Sequence, residues 1–315
     1  DDLARAGVAA FNGPFSNTRS VVELVISEII ALARRLGDRN TQMHHGVWRK
    51  SAIGSHEVRG RTLGIVGYGN IGAQISVLAE ALGLSVMYYD VADKLPMGNA
   101  HRCDSLEELL QSVDVVTVHV DGRADNKILF GEQEFSMMRP RSLFLNLSRG
   151  HVVDVAALAD NLRTGHLAGA AVDVYPSEPR SGDEPFVSEL QSLDNVILTP
   201  HVGGSTQEAQ IDIGRYVAGK LIDYSERAST SMSVNLPDIT TGATPGARIG
   251  HLHLNMPGIM ADLNRLVADH GGNVTYQALA TRGELGYTVL DIDETDRELL
   301  VDVTRLEGTI RARVL

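Results

Sequence analysis

One segment of this 315-residue chain constrains its fold most strongly, because an apolar strand, a glycine-rich turn and a helix follow one another without interruption. Residues 63–66 have the composition of a buried parallel strand, glycines recur at the spacing Gly-x-Gly-x-x-Gly over residues 67–72, and residues 73–82 have helical periodicity. A second apolar strand, residues 84–89, ends at Asp90, eighteen residues after the last glycine. This order predicts an α/β fold with a dinucleotide bound at the turn.

Each residue of this turn has a physical role in the prediction. Gly67 permits the tight turn, Gly69 lets the backbone approach a pyrophosphate, and Gly72 lets helix and strand pack closely. The amides at the start of the helix face the phosphate charge. Asp90 can accept hydrogen bonds from both hydroxyls of the adenosine ribose and would repel a 2′-phosphate, so the expected cofactor is NAD rather than NADP.

Composition excludes several other classes of protein. A net charge of −12 argues against a nucleic-acid partner. The longest apolar run, residues 21–33, is interrupted by Glu23 and Glu28, which indicates an amphipathic helix rather than a membrane span. With no signal peptide in the sequence, we expect a cytoplasmic protein without a membrane partner. Neither His-Glu-x-x-His nor Cys-x-x-Cys occurs, so no metal site is expected.

Further strands and helices alternate after the turn. Four more apolar runs predict strands, which gives six in all: residues 114–120, 142–147, 168–174 and 195–199. Helices are predicted over residues 19–36 and 206–227. Strands separated by helices imply a doubly wound parallel sheet with its ligand at the carboxyl ends of the strands. Trp48, in the polar stretch after the first helix, is either packed or an aromatic anchor in a subunit contact.

The order of elements changes in the last part of the chain. Residues 228–248 are rich in Ser, Thr, Pro and Gly, which predicts a linker or hinge. The elements expected beyond it form a βαββαβ unit, a ferredoxin-like arrangement: a strand at 249–255, a helix at 257–271, strands at 273–282 and 285–293, a helix from Thr295 and a strand at 309–315. The predicted divisions of the chain are 1–16, 17–203, 204–245 and 246–315.

Three residues at or just after the ends of the later strands have the chemistry of an oxidoreductase site. Arg149 directly follows a predicted buried strand. Its guanidinium can bind a substrate carboxylate there and polarise the adjacent carbonyl. His201 can accept a hydroxyl proton as hydride leaves the same carbon. Glu178 can hydrogen-bond that histidine and stabilise its charged form.

Together these motifs resemble the D-isomer-specific 2-hydroxyacid dehydrogenases, and within that family the members that oxidise 3-phosphoglycerate and carry a C-terminal ACT domain. The resemblance is carried by residues 15–20, 67–72, 146–154, 170–174, 177–179 and 200–209. It implies that Arg149, Glu178 and His201 are catalytic. It also implies NAD contacts at Gly67, Gly69, Asn70, Ile71, Gly72, Asp90, Leu147, Ser148, Arg149, Asp173, His201, Val202, Gly203 and Gly204, and substrate contacts at Asn17, Arg149 and Gln210.

The resemblance further implies an activity and an organisation. The reaction would be oxidation of 3-phosphoglycerate to 3-phosphohydroxypyruvate, the first step of L-serine biosynthesis, with reduction of 2-oxoglutarate as a side activity. Residues 1–16 would be a remnant of the substrate domain, residues 17–203 the NAD-binding domain, and residues 204–245 a return to the substrate domain with the hinge. Because the chain begins with Asp1, we expect an N-terminal stretch that supplies most of the substrate domain to be missing.

Residues 246–315 would then be a regulatory ACT domain. Its resemblance to serine-binding ACT domains implies L-serine as an inhibitor, with His253, Asn255 and Asn273 as ligands, and a homo-oligomer, either dimer or tetramer. Two alternatives stay open: a D-2-hydroxyacid dehydrogenase for another acid, and a non-catalytic protein on the same fold that senses NAD or an amino acid. The presence of all three candidate catalytic residues argues against the second.

Overall fold

The computed structural model of the protein describes residues 2–244, 246–293 and 297–315. The chain divides into two compact units. Unit 1 combines Asp1–Ser16 with Ile211–Leu315, and unit 2 is Asn17–Gln210.

Unit 2 is built on a parallel sheet. Within the described ranges its strands are β1 (Thr62–Val66), β2 (Ser85–Tyr89), β3 (His101–Arg102), β4 (Val115–Val118), β5 (Ser142–Asn146), β6 (Leu167–Val172) and β7 (Val196–Leu198), in the order β3-β2-β1-β4-β5-β6-β7. The doubly wound α/β prediction is confirmed, but the expected count of six strands is wrong. The seventh strand, β3, has two residues, which is too short to produce a periodicity in the sequence.

Helices precede and separate strands of this sheet. They are α2 (Thr18–Ala33), α3 (Leu36–His44), α4 (Asn70–Ala81), α5 (Leu106–Ser112), α6 (Glu132–Met137) and α7 (Val155–Arg163). The helix expected over residues 19–36 ends earlier, because the backbone of Arg35 is left-handed, with φ of 53°. A separate helix, α3, then covers part of the stretch predicted only as polar.

Apolar side chains fill both faces of the sheet. Every residue of β4 and β5 is buried, which explains why these strands read as continuous apolar runs rather than as alternating patterns. One cluster includes Leu109, Phe135 and Phe144, and the other includes Ile29 of α2 and Ile75 of α4. The chain therefore has enough buried apolar surface to hold the strand ends in fixed positions.

Two sequence predictions about exposed and buried side chains need correction. Glu23 has an exposed side chain, as an amphipathic helix predicts, but Glu28 on the same helix is only 3% exposed. Trp48 is 80% exposed, so packing within this chain does not account for it. Its role as an anchor between subunits stays a prediction.

Unit 1 contains a second, antiparallel sheet. Its strands β8 (Ala247–Leu254), β9 (Val274–Arg282), β10 (Leu285–Ile292) and β11 (Thr309–Val314) lie in the order β11-β8-β10-β9. Its helices are α1 (Asp2–Arg5), α9 (Ile259–Asp269) and α10 (Arg297–Arg305), and α8 (Gln207–Arg227) begins at the end of unit 2. The ferredoxin-like prediction is confirmed, although the expected helix start at Thr295 lies outside the described residues.

The described residues between α8 and β8 form no helix or strand, as the composition of this segment indicates, but the segment is packed. Leu236 and Ile239 are buried in a cluster with Tyr287 of β10. Just beyond the segment, Arg248 makes two hydrogen bonds to Asp291, of 2.6 and 2.7 Å, and both residues are buried. Hinge motion in this segment stays a prediction.

Candidate active site

The glycine turn between β1 and α4 has the geometry that a bound pyrophosphate requires. Gly67 has φ of +92°, and a Cβ atom there would lie 2.6 Å from the carbonyl oxygen of His119. A Cβ atom on Gly72 would overlap the carbonyl oxygen of Gly67, so helix and strand approach closely. At Gly69, by contrast, a Cβ atom would meet nothing within 4 Å. Backbone amides at the start of α4 are therefore accessible to a ligand's phosphates.

Asp90 is held beside this turn by the backbone. Its Oδ2 accepts a hydrogen bond of 2.8 Å from the amide of Tyr68, and its Oδ1 accepts one of 2.8 Å from the amide of Ala92. Tyr68 is itself fixed, because its ring stacks on Tyr88 with 3.9 Å between ring centroids. A carboxylate oxygen has more than one lone pair, so Asp90 still has acceptor capacity for ribose hydroxyls.

The three candidate catalytic residues follow three adjacent strands. Arg149 follows β5, Glu178 follows β6 and His201 follows β7, and these strands pair in parallel. Carboxyl ends of parallel strands lie at one edge of a sheet, so the sheet brings these residues to the same edge.

His201 and Glu178 form a hydrogen-bonded pair, with 2.8 Å between Nδ1 and Oε2. The other carboxylate oxygen of Glu178 accepts a hydrogen bond of 3.0 Å from the amide of Tyr175. Burial opposes ionisation of Glu178, but these hydrogen bonds outweigh it and hold the pKa of the carboxyl below its usual value. Glu178 is therefore charged at neutral pH and places a negative charge beside the His201 ring.

Asp173 holds the loop that carries His201. This carboxylate is 1% exposed and accepts hydrogen bonds from the Thr199 hydroxyl at 2.6 Å and from the amides of Val202 and Gly203 at 2.9 and 2.8 Å. His201 itself has a left-handed backbone, with φ of 54°. These bonds help hold a backbone conformation that histidine adopts at a cost.

Arg149 is exposed at the end of β5, where Asn146 shapes the turn. The buried side chain of Asn146 accepts hydrogen bonds from the amide and hydroxyl of Ser148, at 3.1 and 2.8 Å, and donates one to the carbonyl of Arg149 at 3.1 Å. The Arg149 guanidinium donates to the Ser148 carbonyl at 2.6 Å. Leu147, an expected cofactor contact, has its side chain in the core, which leaves its backbone for such a contact.

The other two expected substrate residues, Asn17 and Gln210, also lie in unit 2. A Cβ atom on Gly204 would lie 2.5 Å from the side-chain nitrogen of Asn17, so this amide packs on the glycine loop after β7. Gln210 is exposed in α8. A cavity of about 640 Å³ lies beside His201 and Glu178, and its lining includes the apolar side chains of Phe186 and Leu198.

Comparison with known proteins decides which family has this arrangement. Residues 26–203 match the model of the D-isomer specific 2-hydroxyacid dehydrogenase NAD-binding domain. The chain belongs to this dehydrogenase family. Residues 249–311 of the dehydrogenase match the AHAS small subunit-like ACT domain. A D-3-phosphoglycerate dehydrogenase of Escherichia coli (strain K12) is 49% identical over 318 residues, covering 100% of this chain and 78% of that protein.

Solved structures with the same fold agree with this assignment. D-2-hydroxyisocaproate dehydrogenase superposes with a TM-score of 0.68 at 27% identity, over 73% of this dehydrogenase and 72% of that chain. A D-lactate dehydrogenase from Aquifex aeolicus, solved with NAD and lactic acid, has a TM-score of 0.64 at 25% identity, over 71% and 72% of the two chains. The cofactor of this dehydrogenase is NAD.

The described residues of the dehydrogenase contain neither a cluster of metal ligands nor a membrane-spanning helix. Within residues 2–244, 246–293 and 297–315, no group of three His, Cys, Asp or Glu side chains is placed to hold a metal ion. No helix in the described part of the chain is both long and apolar enough to cross a membrane.

The three candidate effector residues of the ACT domain differ in exposure. Asn255 and Asn273 are exposed, whereas His253 is fully buried. Both ring nitrogens of His253 lie within hydrogen-bond distance of a partner, the Thr288 hydroxyl at 3.0 Å and the Leu254 carbonyl at 2.8 Å. A ligand bound through His253 would have to replace one of these partners.

Sequence reasoning missed the groups whose hydrogen bonds hold Arg149 and Glu178 in place. Asn146 was part of a recognised motif but was given no role, and the backbone amide of Tyr175 carries no signal in the sequence. The one available signal was a polar residue at the end of an otherwise apolar strand, which marks Asn146 as a buried hydrogen-bonding group.

Proposed function

We propose that this dehydrogenase oxidises 3-phosphoglycerate to 3-phosphohydroxypyruvate with NAD, the first step of L-serine biosynthesis. The observation that carries the proposal is the His201–Glu178 pair at the same edge of the sheet as Arg149. The substrate class is supported by the name of the Escherichia coli relative, whose sequence matches over the whole chain.

Each residue has a separate task in this reaction. The Arg149 guanidinium binds the substrate carboxylate through paired N–H donors and draws electron density from C2 as the carbonyl forms. Neutral His201 accepts the proton of the C2 hydroxyl, and Glu178 stabilises the resulting imidazolium. Bound NAD would supply, at nicotinamide C4, the acceptor for the hydride of C2. The glycine turn and Asp90 hold the cofactor's pyrophosphate and adenosine ribose.

Replacement of the proposed base tests this assignment. His201→Ala should lower kcat by roughly 10²–10⁴, because the hydroxyl proton loses its acceptor, while the Kd for NAD stays within about twofold. Initial rates of NADH formation give kcat, and fluorescence titration gives the Kd. His44→Ala, at an exposed histidine of α3, is the control and should leave both unchanged. Normal turnover in His201→Ala would remove the histidine from the mechanism.

A substrate panel separates the proposed substrate from other 2-hydroxy acids. The protein should oxidise 3-phosphoglycerate with a higher kcat/KM than D-lactate or D-2-hydroxyisocaproate. In the reverse direction it should also reduce 2-oxoglutarate, which carries the same adjacent carboxylate and carbonyl. A preference for an unphosphorylated acid would favour a different D-2-hydroxyacid dehydrogenase.

We also propose that L-serine inhibits the enzyme through the ACT domain, with Asn255 and Asn273 among its ligands. Both side chains are exposed, and an asparagine amide offers an acceptor for the serine ammonium group and donors for its carboxylate. Strand β9 is at the edge of its sheet and exposes Tyr276 and Leu279. Edge-to-edge pairing of two ACT domains would bury such a strand and make the enzyme a homo-oligomer.

A further inference from the structure

A second cavity lies at the opposite edge of the parallel sheet from the candidate active site. Its lining includes Arg61, Asp114 and Arg141, which directly precede β1, β4 and β5. The amino ends of parallel strands lie away from the edge where Arg149 and His201 are placed. The cavity has a volume of about 310 Å³, enough for a small metabolite.

Two arginines that line this cavity have an unusual backbone conformation. Arg35 has φ of 53° and Arg141 has φ of 69°, both in the left-handed region that glycine adopts far more readily. An arginine at such a position is destabilising relative to glycine. Strain of this kind is retained where the side chain has a use, and here both strained side chains line the same cavity.

Glycines lie beside both guanidinium groups. A Cβ atom on Gly54 would lie 3.3 Å from the Nη1 of Arg35, and one on Gly165 would lie 3.8 Å from the Nη1 of Arg141. Arg141 also donates a hydrogen bond of 3.5 Å to the Gly165 carbonyl. The Arg141 guanidinium thus lies against backbone.

Positive charge in this cavity is only partly compensated. Arg35 forms an ion pair with Asp38 at 2.5 Å, and the carboxylate of Asp114 forms one with Arg139 at 3.3 Å. Arg61 donates to the Glu57 backbone carbonyl at 3.0 Å, and in the described residues neither Arg61 nor Arg141 has a carboxylate partner.

The chain as a whole is acidic. Aspartate and glutamate number 40, against 28 lysines and arginines. In such an acidic protein, two arginines without carboxylate partners at one concave site attract anions from solution. Guanidinium groups bind the oxygens of phosphates and carboxylates through two parallel N–H donors, which makes these two chemistries the natural ligands.

We propose that this cavity is a binding site for a small multivalent oxyanion, bearing either a phosphate group or several carboxylates, held by the guanidinium groups of Arg61 and Arg141. The site is separate from the candidate active site, so its occupancy does not depend on the proposed reaction.

Calorimetric titration tests the site with inorganic phosphate and with citrate as the two probes. NAD is present at saturation so that its pyrophosphate fills the glycine turn, and all proteins carry Arg149→Ala so that the candidate catalytic arginine cannot bind the probe. We expect at least one probe to bind this background protein. The tighter of the two identifies whether phosphate or carboxylate is the preferred chemistry.

The key variants are Arg141→Gly and Arg61→Gln. Each should weaken the binding of that probe at least tenfold, because a charged pair of donors is lost. Arg141→Gly should also leave the Tm without probe unchanged or raised, since glycine relieves the left-handed strain. The matched control is Arg265→Ala, which removes one exposed positive charge from α9 and should keep affinity within twofold.

Two results would overturn the proposal. One is the absence of binding by the background protein with either probe up to about 20 mM, well above the range of a weak site. The other is unchanged affinity in both Arg141→Gly and Arg61→Gln, which would place the anion elsewhere on the surface.

Discussion

The Nδ1 atom of His201 lies 2.8 Å from the Oε2 atom of Glu178, across the loops that follow two neighbouring strands. The amide of Tyr175 holds the other oxygen of Glu178, so the carboxylate is fixed before any ligand binds. This arrangement orients the histidine ring and places a negative charge beside it. Both effects favour a ring that takes up a proton while hydride leaves the substrate.

Glu178→Gln should lower kcat by about tenfold or more, because a neutral amide cannot stabilise the imidazolium that forms in the reaction. The Kd for NAD should change little. Steady-state rates of NADH formation at saturating substrate measure the effect. Glu189→Gln, at an exposed carboxylate in the same region of sequence, is the control and should behave as the unmodified protein. Equal kcat values for the two variants would contradict a role for Glu178.

Asp90→Ala should change cofactor preference. Removing this carboxylate abolishes both the ribose hydrogen bonds and the repulsion of a 2′-phosphate, so the ratio of NADP affinity to NAD affinity should rise by about tenfold or more. The ratio is the useful quantity, because loss of the hydrogen bond to Tyr68 would weaken both cofactors. Asp93→Ala, with a side chain 91% exposed, is the matched control. An unchanged ratio would exclude Asp90 from cofactor selection.

Glu28→Gln should stabilise the protein at alkaline pH. Burial, and then the negative charge of Asp173, raise the pKa of Glu28 to about 8. Tyr175 is the other titratable group that interacts with it. Below the ordinary carboxyl pKa, Glu28 is protonated in both the folded and the unfolded chain. Its ionisation then makes no contribution to the free energy of unfolding. Between that pH and a pH of about 8, Glu28 is ionised in the unfolded chain but still protonated in the folded chain. The free energy of unfolding therefore falls as pH rises.

Thermal unfolding at two pH values measures this effect. Near pH 8.5 the free-energy difference should be about 3 to 5 kcal/mol in favour of Glu28→Gln, and near pH 4.5 it should be small. Glu23→Gln, on the exposed face of the same helix, should show no such dependence on pH. A difference in Tm that stays constant across the pH range would show that Glu28 is ionised in the folded protein.

Asn255→Ala and Asn273→Ala should each abolish inhibition by L-serine while leaving uninhibited turnover nearly unchanged. The reason is that the two amides bind the effector and not the substrate. Rates measured over a range of serine concentrations give the inhibition constant. Asn264→Ala, on helix α9 of the same domain, should remain inhibited. Full inhibition of all three variants would leave the effector site unassigned.

Much of the fold follows from periodicity alone. The strands β1, β2 and β8 to β11 lie within two residues of their predicted positions. Apolar residues run together in β1 and alternate with polar residues in β9 and β11. The sequence predicts that helix α2 reaches residue 36. Arginine does not favour a left-handed backbone, so Arg34 and Arg35 give no sign of the turn that ends the helix. Backbone conformations that oppose a residue's own preference are not readable from sequence.

The chemistry of the site could be predicted from the sequence, but the residues that hold its side chains in place could not. Arg149, Glu178 and His201 have reactive groups at strand ends, which sequence spacing reveals. The sequence shows Glu23 and Glu28 only as charges that interrupt an apolar run, and a carboxylate is rarely buried. Only the packed structure shows that Glu28 lies in the core.

Transfer of deuterium tests the proposed reaction most directly. The full-length protein is incubated with NAD and 3-phosphoglycerate deuterated at C2, and the NADH formed is examined by mass spectrometry and NMR. The account predicts that deuterium appears at nicotinamide C4, with 3-phosphohydroxypyruvate as the other product, and that His201→Ala slows this transfer by roughly 10²–10⁴. Absence of transfer from 3-phosphoglycerate, or equal rates with and without His201, would contradict it.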